Sequence, residues 1–230
     1  MMTIHFHADL RPVVGGNTGM LHWILDPEAR GFLIAYDIEE NHVLIHNIDP
    51  TRDPIASFSP DKCLEIVRAA VGRDIPIDFQ CSMPWVLRRS VANQYFQGRA
   101  VLAGDSAHSF PPTGGLGLNS GIGDAHNLAF KLVAWYHGWA NLGAVLTNYE
   151  DERRPVAIRN SIQSVDNGRK IFQLLKAVRN TNPDITIARR EMAMALADPK
   201  QMAHIQALIE DQAGHFENVS RYQYPLGIYG

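Results

Sequence analysis

Cysteine is nearly absent: the 230 residues hold two, Cys63 and Cys81. That excludes a disulfide framework and leads us to expect two reduced, largely buried thiols in a cytoplasmic protein. Long apolar runs are absent too. None reaches the ~18 residues that a membrane-spanning helix requires. Met1–His7 has neither the basic end nor the apolar stretch of a signal peptide. Charge of one sign is in short supply, with a net charge of -3 and no block of Lys and Arg interleaved with aromatics. Nucleic acid is therefore not an expected partner. Internal repeats and low-complexity segments are missing as well. What remains is a chain with 46% hydrophobic residues, enough to core one large domain or two modest ones.

The first part reads as β-rich. Ile4, Phe6, Ala8 and Leu10 alternate with His5, His7, Asp9 and Arg11, the period of a half-buried strand. Further strands are expected at Met20–Leu25, Gly31–Tyr36 and His42–Ile48, with turns short enough for an antiparallel sheet. Ser59 and Pro60 suit the N-cap and first position of a helix whose stripe is Leu64, Ile66, Val67, Ala70 and Val71, and Gly72 suits its stop. Ile75, Ile77, Phe79, Cys81 and Met83 alternate, so a long strand is expected to return before Trp85. From Ser120 onward the chain reads as helical, with Ile122, Ala125, Ala129, Leu132, Val133 and Tyr136 on one face. A second helix is expected to end near Arg153-Arg154, with Pro155 opening a third.

The chemistry lies in Gly104–Asn119. A short apolar strand, Ala100–Ala103, ends in Gly104-Asp105, where an acceptor-only carboxylate suits a sugar or polyol hydroxyl. Pro111 and Pro112 stiffen the next loop, and Gly114, Gly115 and Gly117 let backbone amides approach a ligand. Those amides run into a helix start, whose positive dipole end favours negative charge. A polyol, a phosphate and an anionic ring together describe a flavin dinucleotide.

The string GRAVLAGDSAHSFPPTGGLGLNSGIGDAHNLAFKL resembles the second FAD-binding motif of the class A flavoprotein monooxygenases. The branch it resembles includes the phenol hydroxylases of aromatic degradation and related fungal tailoring enzymes. The resemblance extends through Tyr149–Ala157, and Gly19–Tyr36 with His46–Pro50 is similar to that branch's substrate-domain sheet. It implies an α+β chain: an antiparallel substrate-domain sheet, then the GD-motif part of an FAD-binding α/β domain, then a helical tail. It places a substrate-binding region at 1–95, the FAD-binding strand, loop and helix at 96–140, and a helical region at 141–230.

By that resemblance Asp105 binds the ribitol of FAD, Pro112, Gly115 and Gly117 border the isoalloxazine, and amides near Leu118 and Asn119 face its N1/O2 edge. NAD(P)H is the implied reductant. The implied substrate is a small phenolic or polyketide-like aromatic, met in secondary-metabolite biosynthesis or aromatic degradation. The apolar face of the Ile4–Trp85 sheet would line its pocket. The family's GxGxxG unit and DG-type motif do not occur in the sequence, so it resembles the central-to-C-terminal portion. A homodimer, or a second chain bringing the ADP-binding half, is the implied partner. No catalytic residue is carried over, and no metal site is expected.

Two other readings stand beside this one. A truncated, inactive relative would keep the motif without turnover. Its strand Ala100–Ala103 would belong in a parallel sheet completed elsewhere. An SGNH-type esterase would use Ser106 as nucleophile, but Asp211 and His215 are one residue too far apart for its Asp-x-x-His.

Other residues have plain structural readings. His5 and His7 suit a solvated sheet edge, and His42 and His46 are too far apart on a strand to share a metal. His108 suits a loop-fixing hydrogen bond. Asp124 suits either the first turn of a helix or a cofactor contact. Arg88, Arg89 and Arg99 suit either solvent or an anion. Trp135, Tyr136 and Trp139 suit packing. Asp151–Arg154 reads as a solvated helix end, whereas the resemblance implies a salt-bridged anchor.

Overall fold

The alternation at the start of the chain forms strand β1, Met2–His7. The computed structural model describes residues 1–16, 19–48 and 53–222, with side chains as far as Asp211; Asp49 and Pro50 lie outside the described residues. A short helix α1, Arg11–Val14, precedes β2 (Leu21–Ile24), β3 (Gly31–Ala35) and β4 (Asn41–His46). Helix α2, Pro60–Val71, follows, and β5, Asp78–Pro84, completes an antiparallel sheet of order β2-β3-β4-β1-β5. The α2 ends are as expected. Ser59 Oγ accepts the Lys62 amide at 3.2 Å, and Gly72 closes the helix at φ 68°.

The sheet's inner face and α2 make the first core. Met2, Ile4, Phe6, Leu33 and Leu44 pack with Cys63, Ile66, Val67 and Val71. Each such large side chain contributes ~1.5–3 kcal/mol by leaving water. The Ile4 face is therefore filled by α2 and cannot line a pocket. Register puts Trp23, Phe32 and Ile45, with Ile34 and Val43, on the outer face instead. Because β1 is an interior strand, His5 and His7 do not lie on the expected edge. His5 is half-buried, with Nε2 2.8 Å from Asn41 Oδ1.

A bulge corrects the expected alternation of β5. His5 pairs with Cys81 but Phe6 with Phe79, leaving Gln80 as an extra residue. One inserted residue inverts which face the following side chains take. Ile75, Ile77 and Phe79 pack on the core, whereas Cys81 and Met83 are exposed. Only Cys63 is the expected buried thiol.

The chain forms two compact units, the first being Met1–Val86 with Leu175–Ile205. The second begins at Leu87. In it β6 (Ser90–Val91) pairs with β9 (His108–Ser109), and β7 (Phe96–Gln97) pairs with β8 (Ala100–Val101), all antiparallel. The expected strand Ala100–Ala103 is thus laddered at two residues, as one arm of a hairpin. Among the described residues it joins no parallel sheet.

Helix α3, Leu116–Tyr136, starts one turn before the expected Ser120. Its buried residues are Leu116, Ser120, Asp124, Asn127 and Lys131, a mostly polar stripe. The expected apolar face is real but outward: Ile122, Ala125, Ala129, Val133 and Tyr136 are exposed. The inward face is chosen by partners for its charges. Trp135, Tyr136 and Trp139 are exposed as well, so they do not serve as internal packing.

Helix α4, Leu142–Ala177, runs unbroken through Pro155, against the expected break. A proline inside a helix costs ~3 kcal/mol. Tyr149, Arg153 and Ala157 are buried on either side of it, and their tertiary contacts offset that cost. Helix α5 (Ile185–Ala197), capped by Asp184, and α6 (Pro199–Tyr222) complete the chain's helical end.

Candidate cofactor site

Beyond β8 the backbone stays extended to Ala103. Gly104 then turns it at φ 57° into a single 3-10 turn, Gly104–Ser106. Tyr149 Oη donates to Leu102 O at 2.8 Å and fixes the strand's end. Asp105 is exposed, and no hydrogen bond within the described chain occupies its carboxylate. Ser106 is committed to the turn itself. Its Oγ donates to Ala103 O at 2.8 Å and accepts the Ala103 amide at 3.1 Å. A hydroxyl proton held by a backbone carbonyl is not delivered to an imidazole, so the geometry offers no esterase nucleophile.

The proline-glycine loop is held from α4. Ser164 Oγ donates to Pro111 O, and Asn167 Nδ2 donates to Thr113 O at 3.3 Å. Gly114, at φ 97°, must lack a side chain because a Cβ would stand 2.6 Å from Asn167 Nδ2. At Gly115, φ 66°, a Cβ would meet nothing within 4 Å, so this side of the loop is open. With α3 starting at Leu116, the amides of Leu116, Gly117 and Leu118 have no acceptor inside the helix. Asn119 Nδ2 turns back to Gly115 O at 2.8 Å.

Beneath the turn lies a buried ionic cluster. Asp124 is 1% exposed. Its Oδ1 accepts Arg153 Nε at 2.8 Å, and its Oδ2 lies 2.9 Å from His108 Nε2 and accepts the Gly104 amide at 3.1 Å. Burial pushes the Asp124 carboxyl up, but the donors His108, Arg153 and Gly104 outweigh it and hold the group below the ordinary carboxylate range. His108 stacks on Phe110 with centroids 5.2 Å apart. Two motif glycines make room for this cluster. A Cβ on Gly121 would lie 3.2 Å from Gly104 Cα, and one on Gly123 would lie 2.6 Å from Arg153 Nη2.

Arg154 Nε donates to Ala92 O at 3.0 Å, and Glu152 Oε2 accepts from Lys131 Nζ and Asn127 Nδ2, both at 2.7 Å. Tyr95 packs against Tyr149, and burial pushes its phenol up to about 12. Within the charge run Arg153 and Arg154 are therefore the anchor, Glu152 pairs at the surface, and Asp151 is exposed. Asp124 stands in the third turn of α3 and not the first. Arg88 and Arg99 are exposed, while Arg89 Nε donates to Ser161 Oγ at 3.1 Å. The resemblance implied the anchor that Arg153 makes with Asp124; sequence reasoning assigned no role to Tyr149, whose signal was the Tyr149–Ala157 string.

The FAD binding domain family matches residues 1–164. The chain belongs to this family of FAD-dependent aromatic monooxygenases. It is 41% identical over 156 residues to tetracenomycin B2 monooxygenase-dioxygenase of Streptomyces olivaceus, covering 67% of this chain and 29% of that protein. It is 40% identical over 161 residues to 4-methyl-5-nitrocatechol 5-monooxygenase of a Burkholderia species, with the same coverage, 67% and 29%. Among solved structures, the rebeccamycin biosynthetic enzyme RebC with reduced flavin aligns at a TM-score of 0.71 and 32% identity, over 92% of this chain and 37% of that one. The flavin-dependent monooxygenase PieE in complex with FAD and substrate aligns at 0.79 over 94% and 38%; at 23% identity this match speaks for the fold alone. The chain spans under a third of the length of these curated relatives. The expected α+β architecture, an antiparallel sheet followed by the GD-motif segment and a helical region, is what the family member has. No helix among the described residues is long and apolar enough to cross a membrane.

Proposed function

We propose that this chain supplies the ribitol and isoalloxazine side of an FAD site, together with the substrate sheet of an NAD(P)H-dependent aromatic monooxygenase. One observation carries the reading. Asp105 is an uncommitted carboxylate at a strand's end, in the same segment as an open glycine loop and the unpaired amides that start α3. These groups fit the cofactor. Asp105 accepts hydrogen bonds from ribitol hydroxyls. Pro112, Gly115 and Gly117 border the ring, and Leu118 and Asn119 face its N1/O2 edge, where the positive end of α3 favours negative charge. Bound there, FAD would supply two-electron chemistry: a hydride from NAD(P)H, then transfer of one oxygen atom of O2 to an electron-rich ring, the other leaving as water.

The remaining proposals concern the whole protein. The outer sheet face, with Trp23, Phe32, Ile34 and Val43, offers apolar lining for a flat phenolic or polyketide-like substrate. The names of the tetracenomycin and nitrocatechol relatives favour that class. The functional division is 1–95 for substrate, 96–140 for FAD and 141–230 as a helical region. The chain forms a homodimer, or a second, different chain brings the ADP-binding half, in the cytoplasm.

The test is to purify the chain, record flavin absorbance and titrate it with FAD. Wild type is expected to bind, and Asp105→Ala to weaken binding about 10–100-fold, the worth of a hydrogen bond to a charged group. Equal affinities overturn the ribitol assignment. A wild type that binds neither FAD nor FMN, which carries the ribitol and the ring without the ADP half, overturns the site.

A further inference from the structure

The segment Gly104–His108 is closed by a single atom. Asp124 Oδ2 accepts the Gly104 amide at 3.1 Å at one end and lies 2.9 Å from His108 Nε2 at the other. Between these ends, Ser106 Oγ is tied to Ala103 on both sides. Asp105 is left as the polar side chain of the segment with no internal partner. We propose that Asp124 is a positioning residue: through the Gly104 amide it fixes the turn that presents Asp105 to the FAD ribitol, so that the two carboxylates act as one unit in cofactor binding. The inference rests on the FAD reading above and adds to it a residue that need not touch the cofactor.

Three features support positioning over simple stability. A buried ion pair such as Asp124–Arg153 contributes little net stability relative to an apolar replacement, but it does fix donor geometry. Arg153 Nε takes Oδ1, which leaves Oδ2 for the turn. The backbone is also built for close approach. Gly121 and Gly104 sit so near each other that a Cβ on Gly121 would lie 3.2 Å from Gly104 Cα. That contact brings the start of the turn within reach of a side chain as short as aspartate.

The test is a double-mutant cycle on FAD affinity, read by flavin fluorescence quenching with the full chain: wild type, Asp105→Ala, Asp124→Asn and both. Asn keeps the size of Asp, but the guanidinium of Arg153 can only donate and so claims its oxygen, leaving the Asn NH2 donor against donor at the Gly104 amide. Asp124→Asn is expected to weaken FAD about tenfold in the wild-type background and by less than about twofold when Asp105 is already Ala. Equal losses in both backgrounds mean a merely structural role and overturn the inference, while the Asp105 effect keeps the FAD reading. No loss from Asp105→Ala overturns that reading, and the positioning role falls with it.

Amide hydrogen exchange gives a second measure without cofactor. Gly104 should exchange faster in Asp124→Asn and at the wild-type rate in Asp105→Ala; unchanged exchange in Asp124→Asn refutes the tether. Should Asp124→Asn not fold, His108→Leu releases the other end of the same oxygen. It is expected to weaken FAD about threefold, again only with Asp105 present. An effect independent of Asp105 overturns the proposal.

Discussion

Acid should loosen the sheet of the first unit, and His46 sets the magnitude. This residue ends β4 on the inner face of the sheet, is 7% exposed, and has no partner at Nδ1 among the described residues. Burial holds its imidazole from the ordinary 6.5 down to about 4; Arg30 and the amino terminus push the same way, and Asp53 opposes them. The folded state therefore favours the neutral ring. Above 6.5 both states are neutral and the stabilisation is complete. Below it the unfolded chain binds a proton that the folded chain refuses until about pH 4.

Each pH unit in that window removes ~1.36 kcal/mol. By about pH 5 the loss is ~2 kcal/mol, and by about pH 4 it is ~3 kcal/mol. His42, also held low by burial, adds in the same direction. Urea denaturation at about pH 7.5 and about pH 5, for wild type and His46→Gln, measures the difference. The variant should lose ~2 kcal/mol less than wild type over that interval. Parallel losses in the two proteins would refute the assignment of the buried charge cost to His46.

Two more outcomes follow from the cluster beneath the turn. Arg153→Ala leaves Asp124 as a buried, partly unpaired carboxylate and should cost ~3–5 kcal/mol in chemical denaturation; a loss under ~1 kcal/mol would mean that water or another cation replaces the guanidinium. Gly123→Ala puts a methyl group where Arg153 Nη2 stands 2.6 Å away, a guanidinium held by Asp124 and unable to swing aside freely. The expected cost is ~1–3 kcal/mol, read as a lower Tm, and an unchanged Tm refutes the crowding.

Some elements were legible because their causes are local. The cap Ser59, the stop Gly72 and the β1 alternation depend on a residue and its near neighbours, and each element formed where the pattern placed it. The failures all turn on partners distant in sequence. The β5 alternation breaks at Gln80 because the bulge there is fixed by pairing with β1. Pro155 marks a break in an isolated helix, yet α4 carries it because Tyr149, Arg153 and Ala157 are buried around it. Periodicity found the apolar face of α3 but not its direction, since the buried side is set by Arg153, His108 and Glu152.

The sequence by itself determined the family and the cofactor-type segment, because Gly104–Asn119 is an ordered string whose residues are neighbours along the chain. Only the tertiary structure decided what holds that segment. Asp124 meets Arg153 across 29 positions and Gly104 across 20, and Gly121 and Gly123 make room for these contacts. A one-dimensional pattern records which donors and acceptors exist. Which of them meet in a site that excludes water is settled by folding, where an unpaired buried charge would be too costly to keep.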